Sequence, residues 1–454
     1  MAFRRVPPAS AIIKKAVTFN PLPLLAIGLA GIATMHAQGG GAPDPALSTM
    51  PFERWLAEGE PTVFRWSVRV GAAALNHHQR LQTRLEIEVD GNELVSRKGH
   101  GELGVMIQFE DGAKHLYQTH GAIDLQEVKD DTGKSNIQYL QDAFVLPGDY
   151  RVGVVIFDLK TRDHWAQQKT LHVNPLRNDP LPSAWKDLPA VELMRATDPP
   201  DSWYVPYIGS HLQLPVPARR PVRVEVLMNA SPSGPSRGLN TGTANNRNLA
   251  NLVPALKVLS QMEVAGGSLH ITLLDISNRR IIFEQDAVHQ LDWKRMSEAL
   301  TQADPNKIDV KSLEHREQNA SYFLQQVRER LAPSSAPAEG AAEPVRVLIV
   351  LAAPMTLDSG EKLHVPEAEA KRQGALYFVR YHLPPERLPL GFEAMSRMGR
   401  RGYGGMPQQA NGPPEAFDSL QGVLKPLQPR LFDVFSPEQF RKALSNLLDE
   451  IARL

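Results

Sequence analysis

The chain contains no cysteine. That single absence excludes disulfides, thiolate metal sites and thiol nucleophiles together. Nor is there a surplus of charge of either sign, because 50 Lys and Arg balance 50 Asp and Glu. A balanced chain has no global attraction for nucleic acid or for an anionic membrane, so no nucleic-acid partner is expected. Helical membrane spans need about 20 apolar residues; the N-terminal run 22–33 is shorter, and no integral membrane span is expected in the mature chain. No base is spaced to activate a nucleophile, so no catalytic residue and no enzyme activity are expected.

What is present begins with a targeting pattern. Arg4, Arg5, Lys14 and Lys15 precede the apolar run 22–33, and Ala37 offers a cleavage point, so 1–37 reads as a signal peptide. The alternative is an uncleaved N-terminal anchor. Both readings place the body of the protein outside the cytoplasm, in the periplasm, at the cell surface or secreted. An exported chain without disulfides must stand on its hydrophobic cores alone. At 454 residues it is long enough for two or three of them.

The organisation follows from periodicity. Residues 38–61 form a flexible spacer with a short helix near Phe52–Leu56. From 62 to 174 short alternating runs recur, among them 64–70, 83–89, 104–109, 137–145, 150–157 and 165–173. Asp90-Gly91 and Pro147-Gly-Asp149 punctuate them as turns. This is the pattern of an all-β antiparallel sandwich, loosely similar to immunoglobulin-like and fibronectin-like modules. Ten prolines lie between Asn174 and Pro221, so 175–220 reads as an extended linker. Its aromatic residues, Trp185, Trp203, Tyr204 and Tyr207, are expected to dock on a domain. From 221 to 454 strands alternate with helices, as in a doubly wound α/β domain. The near-continuous apolar run 345–351 marks a central parallel strand.

The most specific signal is the strand Val222–Met228 and the turn that follows it, Asn229-Ala-Ser-Pro-Ser233. A strand ending in Asp-x-Ser-x-Ser is the metal-site signature of von Willebrand factor type A domains. The second half resembles such a domain, and the whole chain resembles the exported VWFA-related proteins of environmental bacteria. The resemblance implies a site in which a carboxylate, two hydroxyls, a later threonine and a second aspartate hold a divalent cation. Here Asn229 stands in place of the first carboxylate, and Ala353 or Pro354 in place of the second. Hard cations need anionic oxygen to offset their dehydration. Mg²⁺ is therefore disfavoured, and no cofactor is expected. Asn229, Ser231 and Ser233 remain as a degenerate binding loop, or as a turn whose hydroxyls bond to local backbone.

Other signals are weaker. Asp131-Thr-Gly-Lys-Ser135 reads as a turn, not a phosphate loop. His77-His78 and His115 with His120 fall on opposite strand faces and do not converge on a metal. Arg397, Arg400, Arg401 and Tyr403 form a glycine-rich basic segment suited to contact with the cell envelope. The function expected is a non-enzymatic, adhesion- or scaffold-type protein whose partner is another protein. The alternative is a structural envelope component that keeps the type A fold as a scaffold only.

Overall fold

The structure is a computed structural model that describes residues 50–59, 63–126, 128–194, 210–231, 241–302, 315–332, 343–357, 374–382 and 418–454. The signal-peptide reading, Ser233, Trp203, Tyr204, Tyr207 and the basic segment around Arg400 lie outside them. The chain divides into two compact units, Met1–Leu212 and Gln213–Leu454. Among the described residues no helix is long and apolar enough to cross a membrane.

The first unit is an antiparallel sandwich. One sheet has the order β1 (Trp66–Val70), β3 (Leu81–Asp90), β6 (Asn136–Val145) and β9 (Val191–Leu193), with β2 (Ala74–Leu75) also paired to β3. The other has the order β5 (Leu116–Asp124), β4 (Glu102–Glu110), β7 (Gly148–Asp158) and β8 (His164–Val173). The alternation of β3 is the reason it folds this way: Leu81, Leu85, Ile87 and Val89 point inward while Arg84 points out. Between the sheets Trp165 is fully buried and stacks on Phe64 with ring centroids 4.1 Å apart. Arg97 caps both rings at 4.9 Å.

Strands β4 and β7 are apolar on both faces, and the helix α1 (Phe52–Glu58) explains why. It lays Phe52, Trp55 and Leu56 against Met106, Val155 and Phe157 on the outer face of the second sheet. Gly153 makes room for it, because a Cβ there would lie 2.8 Å from Leu56. Tyr150, just inside β7, donates its hydroxyl to the carbonyls of Leu146 (2.8 Å) and Ala190 (3.1 Å). This matches the tyrosine corner of immunoglobulin-like sandwiches. Burial, with the nearby charges of Tyr117 and Asp111, pushes that hydroxyl up to about 12, so it remains a donor.

Two sequence expectations change here. Asp90-Gly91 is not a hairpin turn. The Asp90 carboxylate accepts the Asn92 amide at 2.8 Å and caps a short helix, α2 (Gly91–Ser96). Residues 175–220 are not a free linker either. Val191–Leu193, a stretch without proline, pairs with Ala143–Val145, while Trp185 docks as expected, donating its indole N–H to the Gln79 carbonyl at 2.8 Å. Farther on, β10 (Leu214–Val216) belongs to the second unit, paired in parallel with β12 (Met262–Val264). An edge strand tolerates Pro215 because it need not donate on both sides.

The second unit is built on a six-stranded mixed sheet of order β14-β13-β11-β15-β16-β17. The strands are β11 (Val222–Asn229), β13 (Ser268–Asp275), β14 (Arg280–Gln285), β15 (Val345–Ala352), β16 (Gly374–Tyr381) and β17 (Arg430–Val434). All pairs are parallel except β13 with β14, a hairpin turned at Arg279 with φ 50°. The helices are α3 (Thr241–Leu259), α4 (Trp293–Gln302), α5 (Asn319–Leu331), α6 (Ser419–Leu424) and α7 (Pro437–Arg453). One sheet face, with Leu227, Leu348 and Phe378, packs on Phe323 of α5 and Leu420 of α6. α3 contacts β11, β15 and β16, and Phe440 of α7 meets Tyr381 edge-on at 5.4 Å. α7 starts as its sequence predicts, with the Ser436 hydroxyl accepting the Gln439 amide at 3.3 Å and Pro437 at the first position. The spacing of Leu249, Leu252, Val253, Leu256 and Leu259 reads from sequence as a helix over 248–262; the helix starts earlier, at Thr241, and ends at Leu259. β12 fills the gap before Gly266-Gly267.

Candidate functional site

β11 and β15 are neighbours in space but far apart in sequence, and connections leave them in opposite directions along the sheet. Carboxyl ends of strands at such a switch point are where open α/β sheets bind ligands. Asn229 is the last residue of β11 and sits there. It is 2% exposed, and Ser231 beyond it is 5% exposed. Both are floor residues that hold the turn and present little surface of their own.

Every polar atom of this floor has a partner within the fold. The Asn229 Oδ1 accepts the Ser231 amide at 3.0 Å, and its Nδ2 donates to the Met355 thioether at 3.4 Å. The Ser231 hydroxyl donates to Asp275 Oδ1 at 3.2 Å and accepts the Ser277 amide at 3.1 Å. Asp275, at the end of β13, is saturated: it also takes the Asn278 amide (3.2 Å) and side chain (2.7 Å), and Arg280 at 3.1 Å. Its charge is matched by hydrogen bonds, as a buried carboxylate requires.

This donor set does not fit a divalent cation. The anionic group nearest to Ser231 is the Asp275 carboxylate, which is also committed to the Asn278 amide, the Asn278 side chain and Arg280. Where the resemblance implies a second aspartate, the structure has buried Ala353, followed by Met355 with its sulfur turned to Asn229. Thioether and amide are poor partners for a hard ion.

A second polar cluster lies at the carboxyl ends of β16 and β17. Arg380 reaches Asp418 at 3.2 Å, Asp433 at 2.6 Å and the Gln421 side chain at 2.7 Å. Asp418 caps α6 through the Leu420 amide (3.1 Å) and also accepts the Met355 amide (3.2 Å), which ties the cluster to the floor below Asn229. His382 contacts Asp433 at 2.7 Å and stacks on exposed Phe435 with centroids 4.0 Å apart. Burial alone would raise the Asp433 carboxyl; the bonds from Arg380 and His382 outweigh it and hold the carboxyl below its ordinary value.

That depression has a sign. A carboxylate with a lowered folded pKa adds stability above its unfolded value, about 3.9 for aspartate, and the contribution fades as pH falls through the lower folded value. Denaturation midpoints of the native chain and of D433N are therefore expected to differ near neutrality and to converge in acid. A gap that stays constant with pH would show that the carboxylate charge contributes nothing.

Sequence reasoning found Asn229 and Ser231 but missed Asp275, Met355, Arg380 and Asp418. A signal existed for two of them. Asp275 ends an apolar strand as Asn229 does, and Asp418 precedes Ser-Leu as a helix cap would. The histidines considered for a metal are not brought together: His115 bonds to Asp111 at 3.0 Å, outside the hydrophobic core. The stretch read as a turn, 131–135, forms a short 3₁₀ helix at Asp130–Lys134.

No protein-family model matches the chain, and no curated protein matches it. Ten chains of known structure match. One, titled as the X-ray structure of Northeast Structural Genomics Consortium target SoR45, is 12% identical, with a TM-score of 0.17, and covers 25% of this chain and 90% of that one.

Proposed function

We propose that this is an exported interaction protein whose switch-point site is non-enzymatic, with a von Willebrand factor type A-like second unit that binds another protein without a bridging ion. The observation that carries the reading is the hydrogen-bonded floor at the end of β11, where Asn229, Ser231, Asp275 and Met355 satisfy one another. The floor holds the turn at the sheet's switch point. The sequence that follows, 232–247, which includes the start of α3, is polar and rich in Gly, Ser, Asn and Thr, and it would supply the contact surface. The mixed sheet order supports the type A-like reading, and the targeting pattern at 1–37 supports export.

Chelation is the sharpest test. Once a partner has been recovered by crosslinking in the native cell, its affinity is expected to be the same in EDTA and in Mg²⁺. Loss of binding in EDTA, restored by Mg²⁺, would sink the ion-free reading.

One observation favours a second reading, a structural envelope component. The floor is closed within the fold, so a scaffold would need nothing more. Replacing residues 234–240, ahead of α3, with a Gly/Ser linker of equal length separates the two. Lost capture of the crosslinked partner supports the interaction reading, and unchanged capture supports the scaffold.

A further inference from the structure

At the opposite end of β13 three side chains line up across the hairpin. Ser268 Oγ lies 2.9 Å from His270 Nε2, and His270 Nδ1 lies 2.6 Å from Asp286 Oδ1. The placement follows from strand geometry. Residues 268 and 270 are two apart on β13 and share a face. Asp286 directly follows β14, whose antiparallel register sets Ile271 opposite Gln285 and so brings residue 286 beside residue 270. The bond from the Val288 amide to the Leu269 carbonyl, 2.7 Å, extends the pairing past Asp286. His270 is 9% exposed and held between its two partners, while Ser268 is half-buried.

The geometry points to an acylatable serine at position 268, with His270 as its base and Asp286 as the group that orients the base. A nucleophile is activated when a base stands within hydrogen-bond reach and a third group fixes that base. With Nδ1–H donated to Asp286, Nε2 is the acceptor that faces the Ser268 hydroxyl. The other carboxylate near the ring does not compete. Glu225, the register partner of His270 on β11, is engaged by Arg330 at 2.5 Å and Thr272 at 3.2 Å. Arg223, the register partner of Ser268, brings a cation to the same sheet face, where a tetrahedral oxyanion would develop.

The substrate class is a small ester. Ser268 oxygen bonds to the acyl carbon as its proton passes to His270 Nε2. The bond from carbon to the leaving alcohol then breaks, and that alcohol takes the proton. Water repeats the sequence to release the acid. The Asp286 side chain is 74% exposed, so the relay works in a wet, high-dielectric setting. Electrostatic help is weaker there, which suits an ester with a good leaving group and not an amide.

This inference is independent of partner binding at the other end of the sheet. The full chain is treated with p-nitrophenyl acetate and, separately, with a fluorophosphonate probe, and adducts are mapped by peptide mass spectrometry. A single adduct at Ser268 is expected, absent in S268A. H270Q should label about 100-fold more slowly, the low end for loss of a general base. The pH profile of labelling should differ between the native chain and D286N. Circular dichroism confirms that each variant folds; if H270Q does not, the mapped position and that difference in pH profile decide alone. No adduct, adducts scattered over surface serines, or equal rates in the native chain and H270Q would each overturn the assignment.

Discussion

Replacing Arg330 with alanine is expected to destabilise the second unit by about 3–5 kcal/mol, the usual result of removing one member of a buried ion pair. Arg330 projects from α5 onto the sheet, where its Nε lies 2.5 Å from Glu225 Oε1. Each side chain is only 9% exposed. Glu225 sits in the middle of β11 between two parallel neighbours, so it cannot turn to water. Without the guanidinium, its charge would keep one neutral donor, the Thr272 hydroxyl at 3.2 Å. The loss comes from stranding the carboxylate and not from the net worth of the pair. The double variant E225L/R330M should therefore recover most of the stability. Urea denaturation with a fixed slope reads both changes. A loss below about 1 kcal/mol in R330A would mean that the pair behaves as an exposed one.

The sandwich should be as sensitive at one residue. Trp165→Ala is expected to cost about 3–5 kcal/mol, the range for large aromatic residues in a core. Trp165 is fully buried and fills the space between the two sheets against Phe64. Truncation removes its own transfer energy and also leaves the Arg97 guanidinium with Phe64 as its ring partner in place of two. Trp55→Ala is the comparison, because Trp55 lies on the outer face of the second sheet and is half-buried. Its loss should be smaller. Near-ultraviolet circular dichroism and urea midpoints on the full chain test the order, and W55A proving the more costly change would place the core's closure on α1 instead.

The residues read most easily from sequence were those whose environment is uniform. β15 carries a near-continuous apolar run because both sheet faces are covered, and β3 alternates because one face meets water. α7 announces itself with a cap, a proline and an early glutamate. By contrast β5 gave no signal: half-exposed along most of its length, it has no consistent apolar face. β9 was hidden by the prolines around it, which do not forbid regular structure two residues away, whereas 210–216 reads from sequence as an edge strand and is found as β10 with Pro215 inside it. Asp90-Gly91 misled because the same dipeptide serves a hairpin or a helix cap, and the contact that decides lies far along the chain: a Cβ on Gly91 would stand 1.9 Å from the Thr132 carbonyl.

The site was half legible for the same reason. Asn229 and Ser231 are two apart, and their mutual bond is a local turn. What they do depends on Asp275 and Met355, 44 and 126 residues beyond their partners in the chain. Ser268, His270 and Asp286 share that character. Only the hairpin register, which periodicity does not fix, sets an aspartate beside a histidine.

The pairing of Val191–Leu193 with β6 carries a practical corollary for cutting the gene. A fragment that stops after β8, at Val173, would leave the Ala143–Val145 backbone as a bare edge and discard the Trp185 anchor. Such an edge invites pairing with other copies, and the fragment would tend to clump. Carrying the end on to Met194, whose amide closes on the Asp142 carbonyl at 2.9 Å, keeps that border sealed.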